Sequence, residues 1–350
     1  MKIFQVIAGC SLALACMSFA PNAIAQDDSC GRACLKGLAE QLVSAIVTHD
    51  DSKLPLTQEY ASTENSIGVS VNSMNIFRSA TASRDPFYII DPVTHQLYLY
   101  VTIAEGPTEV LFFGRIKSEG RKLAEIEVFE SRSRGQDGIA FKNGRGPTPL
   151  PVEWTQPIAK NRLPTRAELQ KWGDSMFNTF LSPPDASPDC VLFEEGKIVE
   201  ENAELLKSIS DKADPPKKGK AYVVNPDGTV PVPCGGGSPH RPPYFNAKTD
   251  ILDEEQGIVV SRATLHGETV PYIVTTPTES VYVPYELLPP FIAHLGEQRA
   301  SGKYPLPSIR PMGVTSITSH IYRIYDSKIQ GMMLLFNLAP PGAHSPWDTN

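Results

Sequence analysis

One plan of elements occurs twice along this chain, and that repetition is its strongest constraint on folding. Each half opens with a segment whose apolar residues recur at positions i, i+3, i+7 and i+11, the spacing of a single stripe along an α-helix. The stripes are Leu35, Leu38, Leu42 and Ile46 in the first half, and Leu169, Trp172, Met176 and Phe180 in the second. The second helix also has a predicted start, because Thr165 and Glu168 form a T-x-x-E capping box.

The segments that follow the helices repeat as well. A turn, a β-rich run and a second turn make up residues 89–106 (IIDPVTHQLYLYVTIAEG) and residues 250–267 (DILDEEQGIVVSRATLHG). A strand, a turn and a strand then follow at residues 113–129 and again at 320–336. Alternating apolar residues mark the last strand of each half. The sequence therefore predicts an internal duplication of helices followed by a curved antiparallel sheet, an α+β chain.

Composition shifts give the boundaries of the two units. The first unit spans 26–145, the Pro-rich segment 146–164 (GPTPLPVEWTQPIAKNRLP) is the linker, and the second unit spans 165–340, before a tail at 341–350. A loop insertion at about 200–243, rich in Pro, Gly and Lys, is too polar to build a core.

The first 25 residues predict a secretory signal peptide. Lys2 is followed by an apolar run and then by Ala23-Ile24-Ala25, which favours cleavage after Ala25 and export to the periplasm or the extracellular space. A lipoprotein signal ending at Cys10 is an alternative, although it leaves a short apolar region. The other segments are not apolar enough to span a membrane, so we expect no stable membrane anchor.

Charge and cysteine content narrow the class of protein further. A formal net charge of −7 disfavours nucleic acid as a partner. Cys30, Cys34, Cys190 and Cys234 remain after signal removal, and an even number in an exported chain indicates disulfides. Of three possible pairings, Cys190–Cys234 with Cys30–Cys34 is favoured, although cysteines four apart within a regular helix have poor geometry. Zinc is disfavoured, because the chain has neither C-x-x-C nor H-E-x-x-H, and no metal site is expected.

The order of several short motifs resembles one protein family. These motifs are Cys30 and Leu35, LPL at 54–56, TEN at 63–65, LPTRAEL at 163–169, DEEQGIVV at 253–260, and a late Y-R-I…K-I strand pair. The chain resembles exported two-copy proteins that contain a domain of unknown function, with SnoaL-like or nuclear-transport-factor-two-like cones. The segment after TEN departs from the family pattern, and His320 stands where a carboxylate is common.

The resemblance implies a fold and a range of functions. It implies two SnoaL-like cones, in each of which N-terminal helices pack in a curved sheet, and the two cones are expected to pack together within the chain. Such cones host isomerases, dehydratases, cyclases and lyases that need no cofactor, and they also host plain binding modules. Fold alone therefore argues weakly for any one function.

Five residues are candidates for the site. Glu64 and His320 are the candidate catalytic acid/base residues, because a carboxylate or imidazole facing an apolar pocket can transfer protons. Tyr60, Asn65 and Arg78 are the candidate substrate-binding residues. The structural alternative for Glu64 is an ion pair with Arg78 or a place at the solvent rim. His320 would likewise be only a rim residue if its side chain faces outward.

Two functions are consistent with the sequence. The first is a cofactor-free acid/base enzyme of the isomerase, dehydratase, lyase or cyclase type that acts on a small apolar substrate. The second is a non-catalytic module that binds a small apolar ligand or a protein partner. The sequence leans to the first reading and does not name a substrate.

Overall fold

The structure is a computed structural model. It describes residues 29–132, 147–179, 185–194, 196–198, 200–202, 226, 229–234, 244–271, 280–286, 288–302 and 312–347. The predicted signal peptide and most of the predicted loop insertion lie outside the described residues.

The first half of the chain forms a six-stranded sheet, which we call sheet 1. Its elements are α1 (Arg32–Thr48), β1 (Leu56–Glu64), β2 (Ile67–Gly68), a short 3-10 turn (Val71–Ser73), α2 (Asn75–Ser79), β3 (Ala82–Asp91), β4 (Gln96–Glu105), β5 (Thr108–Glu119) and β6 (Lys122–Arg132). The strand order is β2-β1-β6-β5-β4-β3, and β1 runs parallel to β6 while the other neighbours are antiparallel.

The second half forms a seven-stranded sheet, sheet 2, after a short linker. The linker holds α3 (Val152–Thr155) and a 3-10 turn (Lys160–Arg162), and α4 (Arg166–Thr179) follows. The remaining elements are β7 (Leu192–Glu194), β8 (Lys197–Ile198), β9 (Glu200–Asn202), β10 (Thr229–Pro231), β11 (Phe245–Asp253), β12 (Ile258–Pro271), β13 (Ser280–Pro284), α5 (Leu288–Ala300), β14 (Met312–Tyr325) and β15 (Lys328–Ala339). The order is β11-β12-β14-β15-β7-β8 with β13 on β12, β7 is parallel to β15, and β9 pairs with β10 separately.

The expected fold class, α+β with two SnoaL-like cones, is wrong. Of the described residues, 49% lie in strands and 22% in helices, so the protein is mostly β. The reason lies in how each sheet is covered. One long helix packs on one face of each sheet, and the opposite faces of the two sheets pack on each other.

Three apolar layers result from this arrangement. The first lies between α1 and sheet 1, with Leu35, Leu42 and Ile46 fully buried. The central layer joins the two sheets, with Tyr98 and Phe113 from sheet 1 among its members. The third lies between α4 and sheet 2 around Leu169 and Met176. Burial of apolar side chains in these layers is the main favourable contribution to folding.

Both predicted disulfides are confirmed. The Cα atoms of Cys30 and Cys34 are 5.2 Å apart, and those of Cys190 and Cys234 are 5.3 Å apart. The geometric objection to the first pair does not hold, because α1 begins only at Arg32 and Cys30 therefore precedes the helix. The predicted capping box is also confirmed: the backbone N–H of Thr165 donates to Glu168 Oε2 at 2.7 Å, and the N–H of Glu168 donates to Thr165 Oγ1 at 3.4 Å.

Two aspartates at equivalent strand ends join the halves reciprocally. Asp91 ends β3 and accepts N–H bonds from Val93 and Thr94 in its own turn. The same carboxylate accepts two hydrogen bonds from Arg166 of the other half, at 2.9 and 2.8 Å, and one from the N–H of Leu252 at 3.3 Å. Burial alone would raise the pKa of Asp91, but these bonds hold it below its usual value.

Asp253 ends β11 and repeats this pattern in the opposite direction. It accepts N–H bonds from Glu255 and Gln256 in its own turn and one from Ile90 of the first half at 2.7 Å. The guanidinium of Arg32, at the start of α1, completes the pair. We call the two sets together the aspartate junction. Burial raises the pKa of Asp253, while Arg32 and the N–H donors oppose that shift.

We expect Asp91→Asn to destabilise the protein strongly. The substitution leaves Arg166 without its carboxylate at a buried site, where a broken ion pair costs about 2–3 kcal/mol after allowance for the partial exposure of Arg166. Asp326→Asn is the matched control, because the Arg162–Asp326 pair is exposed to solvent and such pairs contribute little to stability. Urea unfolding with the disulfides intact measures both, and equal losses would contradict the structural role of Asp91.

Candidate functional site

Glu64 is buried at the end of β1 and is 5% exposed. Its Oε2 accepts hydrogen bonds from the backbone N–H and the side-chain amide of Asn75, at 2.8 and 2.9 Å. Its Oε1 accepts a bond from the N–H of Ile76 at 2.9 Å. The two backbone donors belong to the first turn of α2, whose N–H groups lack partners within the helix, so Glu64 caps that helix and is fixed in place by it.

A second buried carboxyl group, Glu130, lies beside Glu64. Burial is the largest cause that raises the pKa of Glu130 to about 8, and the adjacent Glu64 raises it further. Arg132 contacts Glu130 and also holds Glu105. Burial and the neighbouring Glu64 thus favour the protonated form of Glu130, and the contact with Arg132 acts in the opposite direction. The sequence does not reveal Glu130 as a site residue, because strand alternation places it on a face shared with apolar residues such as Val128.

Asn65 and Ser66 form the two-residue turn between β1 and β2, and both have positive φ. Such a turn suits a hairpin, and asparagine tolerates this backbone conformation. Oδ1 of Asn65 accepts hydrogen bonds from the N–H of Glu130 at 2.9 Å and from Nδ2 of Asn337 at 3.0 Å. Since Asn337 belongs to β15, the amide of Asn65 ties sheet 1 to sheet 2.

The other two candidates of the first half do not join Glu64. Tyr60 is half-buried and packs at the edge of the apolar layer under α1. Arg78 lies in the last turn of α2 and is exposed. The donors to Glu64 are Asn75 and Ile76, so the alternative of a Glu64–Arg78 ion pair does not describe this geometry.

His320 lies in β14 on the face toward α4 and is 1% exposed. Its ring contacts Phe177, with centroids 4.5 Å apart, and Tyr244, with centroids 5.4 Å apart. Burial lowers its pKa to about 3, so the imidazole is neutral at neutral pH. His320 and Glu64 belong to different sheets and lie against different helices, and the structure does not bring the five predicted residues together.

The largest described cleft lies instead where the two halves meet the linker. This junction groove has a volume of about 1080 Å³. Its apolar wall comes from β3 and from the linker, through Pro86, Phe87, Tyr88, Pro157, Ile158 and Leu163. Prolines fix parts of that wall, because the pyrrolidine ring restricts the backbone. The aspartate junction forms the neighbouring layer, since Arg32, Ile90 and Gln256 line the groove as well.

The charged side chains at the rim of the groove differ in how strongly they are already paired with other residues. Arg32 is held by Asp253 and Glu255, and Glu254 lies 3.6 Å from Arg166. Lys36 has only an exposed pairing with Glu40, at 3.6 Å. Lys160 also lines the groove and is exposed, and the described ion pairs do not include it. Two lysine ammonium groups are therefore the cations best placed to meet a ligand.

Tyr88 adds a neutral hydrogen-bond donor to the same wall. Burial, with a further contribution from Glu40, raises the pKa of Tyr88 to about 12, so its phenol keeps its proton. The carbonyl of Tyr88 accepts a bond from Nε2 of Gln256 at 2.8 Å, which fixes this strand against the other half. The linker prolines were visible in the sequence, but their meeting with Tyr88 and Lys36 required the three-dimensional fold.

Comparisons with known proteins do not assign this site. No family model and no curated protein matches the chain. A de novo designed protein with a curved β-sheet is similar over 30% of this chain and 88% of its own, at 8% identity and a TM-score of 0.23. A likeness at this level carries no argument about function.

The described residues were compared with the requirements for a membrane-spanning helix and for a metal site. None of their helices combines the length and the hydropathy needed to cross a membrane. Within the same ranges, no group of three or more His, Cys, Asp or Glu side chains is arranged to hold a metal ion.

We expect Glu130→Gln to flatten the dependence of stability on pH. The folded state keeps a proton that an ordinary glutamate loses near pH 4.5, so this contribution is full below pH 4.5 and is lost as pH rises to about 8. Glutamine keeps the neutral shape and does not titrate. Thermal unfolding from pH 5 to pH 9 should show a smaller fall in Tm for this variant than for the wild type.

The exposed Glu119→Gln variant is the control for that measurement and should retain the wild-type slope. Parallel slopes for Glu130→Gln and the wild type would show that Glu130 does not hold the proton.

Proposed function

We propose that this protein is an exported, non-catalytic binding module whose site is the junction groove. The ligand is a small amphipathic molecule with an apolar body and one anionic group. The observation that carries this proposal is the groove of about 1080 Å³, which combines an apolar, proline-fixed wall with Lys36 and Lys160. Its volume is at the upper end of the roughly 300–1,000 Å³ typical of small-molecule sites.

The arrangement of the groove supports binding with little reorganisation. Arg32 is already fixed by two carboxylates, and the strand that carries Tyr88 is fixed by Gln256. A site that is ordered before the ligand arrives loses less conformational entropy on binding. The apolar wall would bury the body of the ligand, and the lysines would meet its anionic group at the rim.

Export is supported by the two disulfides, since such bonds persist in oxidising compartments. The Cys30–Cys34 bond also has a local effect at the site. It joins Cys30, just before α1, to Cys34 in the first turn of that helix, which carries Arg32 and Lys36 to the groove. The disulfide would thus help to hold one side of the groove in place.

The acid/base reading has less support than the binding reading. The oxygens of Glu64 are occupied by the N-terminal turn of α2, and the imidazole of His320 is buried and neutral. A general acid or base needs to reach the substrate proton within hydrogen-bond distance. Neither residue lines the junction groove.

Anilinonaphthalene sulfonate, which has an apolar body and a single anionic group, is a suitable probe of the groove. We expect the mature protein to bind it saturably, and Ile158→Glu to weaken binding at least tenfold by placing a carboxylate on the apolar wall. Lys36→Gln combined with Lys160→Gln should weaken it about three- to tenfold, the range of exposed charge interactions. Fluorescence titration measures each affinity, and circular dichroism verifies the fold.

Lys53→Gln is the matched charge control, because Lys53 is exposed and does not line the groove. Neutral phenylnaphthylamine should be insensitive to the loss of the two lysines. Absence of saturable binding, or equal affinity in the wild type and Ile158→Glu, would refute the groove as the ligand site.

A further inference from the structure

A second cavity, of about 290 Å³, lies between the two sheets and away from the junction groove. Both halves build it, and charged side chains dominate its lining: Arg115, Lys117 and Glu125 from sheet 1, and Lys248, Asp250 and Arg262 from sheet 2. The indole of Trp347, from the segment after β15, closes one side. We call this cavity the intersheet cleft.

Cations exceed anions in the intersheet cleft. Glu125 is shared between Arg115, at 2.7 Å, and Lys117, at 3.0 Å, while Arg262 pairs with Asp250 at 2.9 Å. Lys248 is exposed at the mouth. Four positive groups therefore face two carboxylates. Glu127 is buried near Arg115, and even if it is counted as ionised one positive charge remains in excess.

Sheet 2 has a position equivalent to the one that sheet 1 contributes to the intersheet cleft, and the linker fills it. In each β-hairpin one cross-strand pair directly precedes the bulge: Lys117 with Glu125 in sheet 1, and Arg323 with Gly331 in sheet 2. At the sheet 2 position Trp154 of the linker is 1% exposed and lies on Gly331, where a Cβ would come within 2.9 Å of the indole.

The linker also supplies hydrogen-bond acceptors at that place. The guanidinium of Arg323 donates to the carbonyl oxygens of Glu153 and Gln156, both at 2.6 Å. An aromatic ring and acceptor oxygens beside a cation thus complete the sheet 2 position. In such a combination the aromatic ring packs on an apolar surface, and the oxygens accept hydrogen bonds from the cation.

The sheet 1 position is only partly filled in the same way. Glu125 has a side chain where Gly331 has none, and Trp347 remains half-buried, with the guanidinium of Arg115 at 5.3 Å from its ring centroid. The intersheet cleft is the space left beside this tryptophan. Thr94 and Thr249 add hydroxyl groups to its lining.

We propose that the intersheet cleft is a second binding site, for a small aromatic carboxylate. The ring of the ligand packs against Trp347, and its carboxylate meets the excess positive charge of Lys117 and Lys248 near Arg115. The carboxylate of the ligand supplies acceptor oxygens, as the carbonyl groups of Glu153 and Gln156 do at the equivalent place on sheet 2. A volume of about 290 Å³ limits it to a single-ring molecule, at the low end for small-molecule sites.

Benzoate and its neutral counterpart benzamide test this proposal by isothermal titration calorimetry on the mature protein. We expect benzoate to bind with one site per chain and at least tenfold more tightly than benzamide. Combined Lys117→Gln and Lys248→Gln substitutions should lower benzoate affinity about three- to tenfold, the range of exposed charge interactions, and leave benzamide affinity unchanged. Lys328→Gln, at the exposed turn between β14 and β15, is the control and should keep wild-type affinity.

Trp347→Ala separates packing from charge, because it should weaken both compounds to a similar degree. If that variant does not fold, the lysine variants still decide the matter, since both lysines are at least one-third exposed. Absence of benzoate binding, equal affinity for benzoate and benzamide, or no effect of the paired lysine substitutions would overturn the proposal.

Independence from the junction groove is tested with the same materials. Benzoate should not displace anilinonaphthalene sulfonate, and the Lys36→Gln/Lys160→Gln variant should keep its benzoate affinity. Displacement, or loss of benzoate affinity in that variant, would place benzoate in the groove and overturn the assignment to the intersheet cleft.

Discussion

The aspartate junction is the interaction on which the rest of this structure depends. Asp91 and Asp253 each end an edge strand, cap their own turn, and bind the backbone and an arginine of the opposite half. A fully buried carboxylate is tolerated only when its oxygens are satisfied in this way. The two sets are reciprocal. A shift of one half along the other would therefore remove hydrogen-bond donors from both buried carboxylates.

The position of both proposed sites follows from that constraint. Once the strand ends are joined, the inner faces of the two sheets pack on each other and α1 and α4 remain on the outer faces. The linker must then cross the junction, and its prolines wall the groove beside Arg32. Charged residues of β5, β6, β11 and β12 meet at a separate cavity between the sheets.

Local patterns were predictable where local physics decides them. The stripe at Leu35, Leu38 and Leu42 marks α1, and the box at Thr165 and Glu168 marks the start of α4. The fold class was not predictable in the same way, because a stripe shows that one helix face is buried without showing how the sheet behind it is covered. In the sequence Glu64 was a candidate acid or base with a possible ion pair to Arg78, but in the structure its partners lie at the start of α2.

The sequence by itself indicated the start of α4, favoured the pairing of the two disulfides and showed the turn character of the segments at Asp91 and Asp253, because each depends on residues close in the chain or on cysteine chemistry. Only the tertiary structure decided which charges are satisfied and which face a cavity. Arg32 and Asp253 are 221 residues apart, and their pairing depends on the packing of the two sheets. The packing of the sheets also places the two tryptophans. Trp154 fills its position on sheet 2, whereas Trp347 leaves the intersheet cleft beside it partly open.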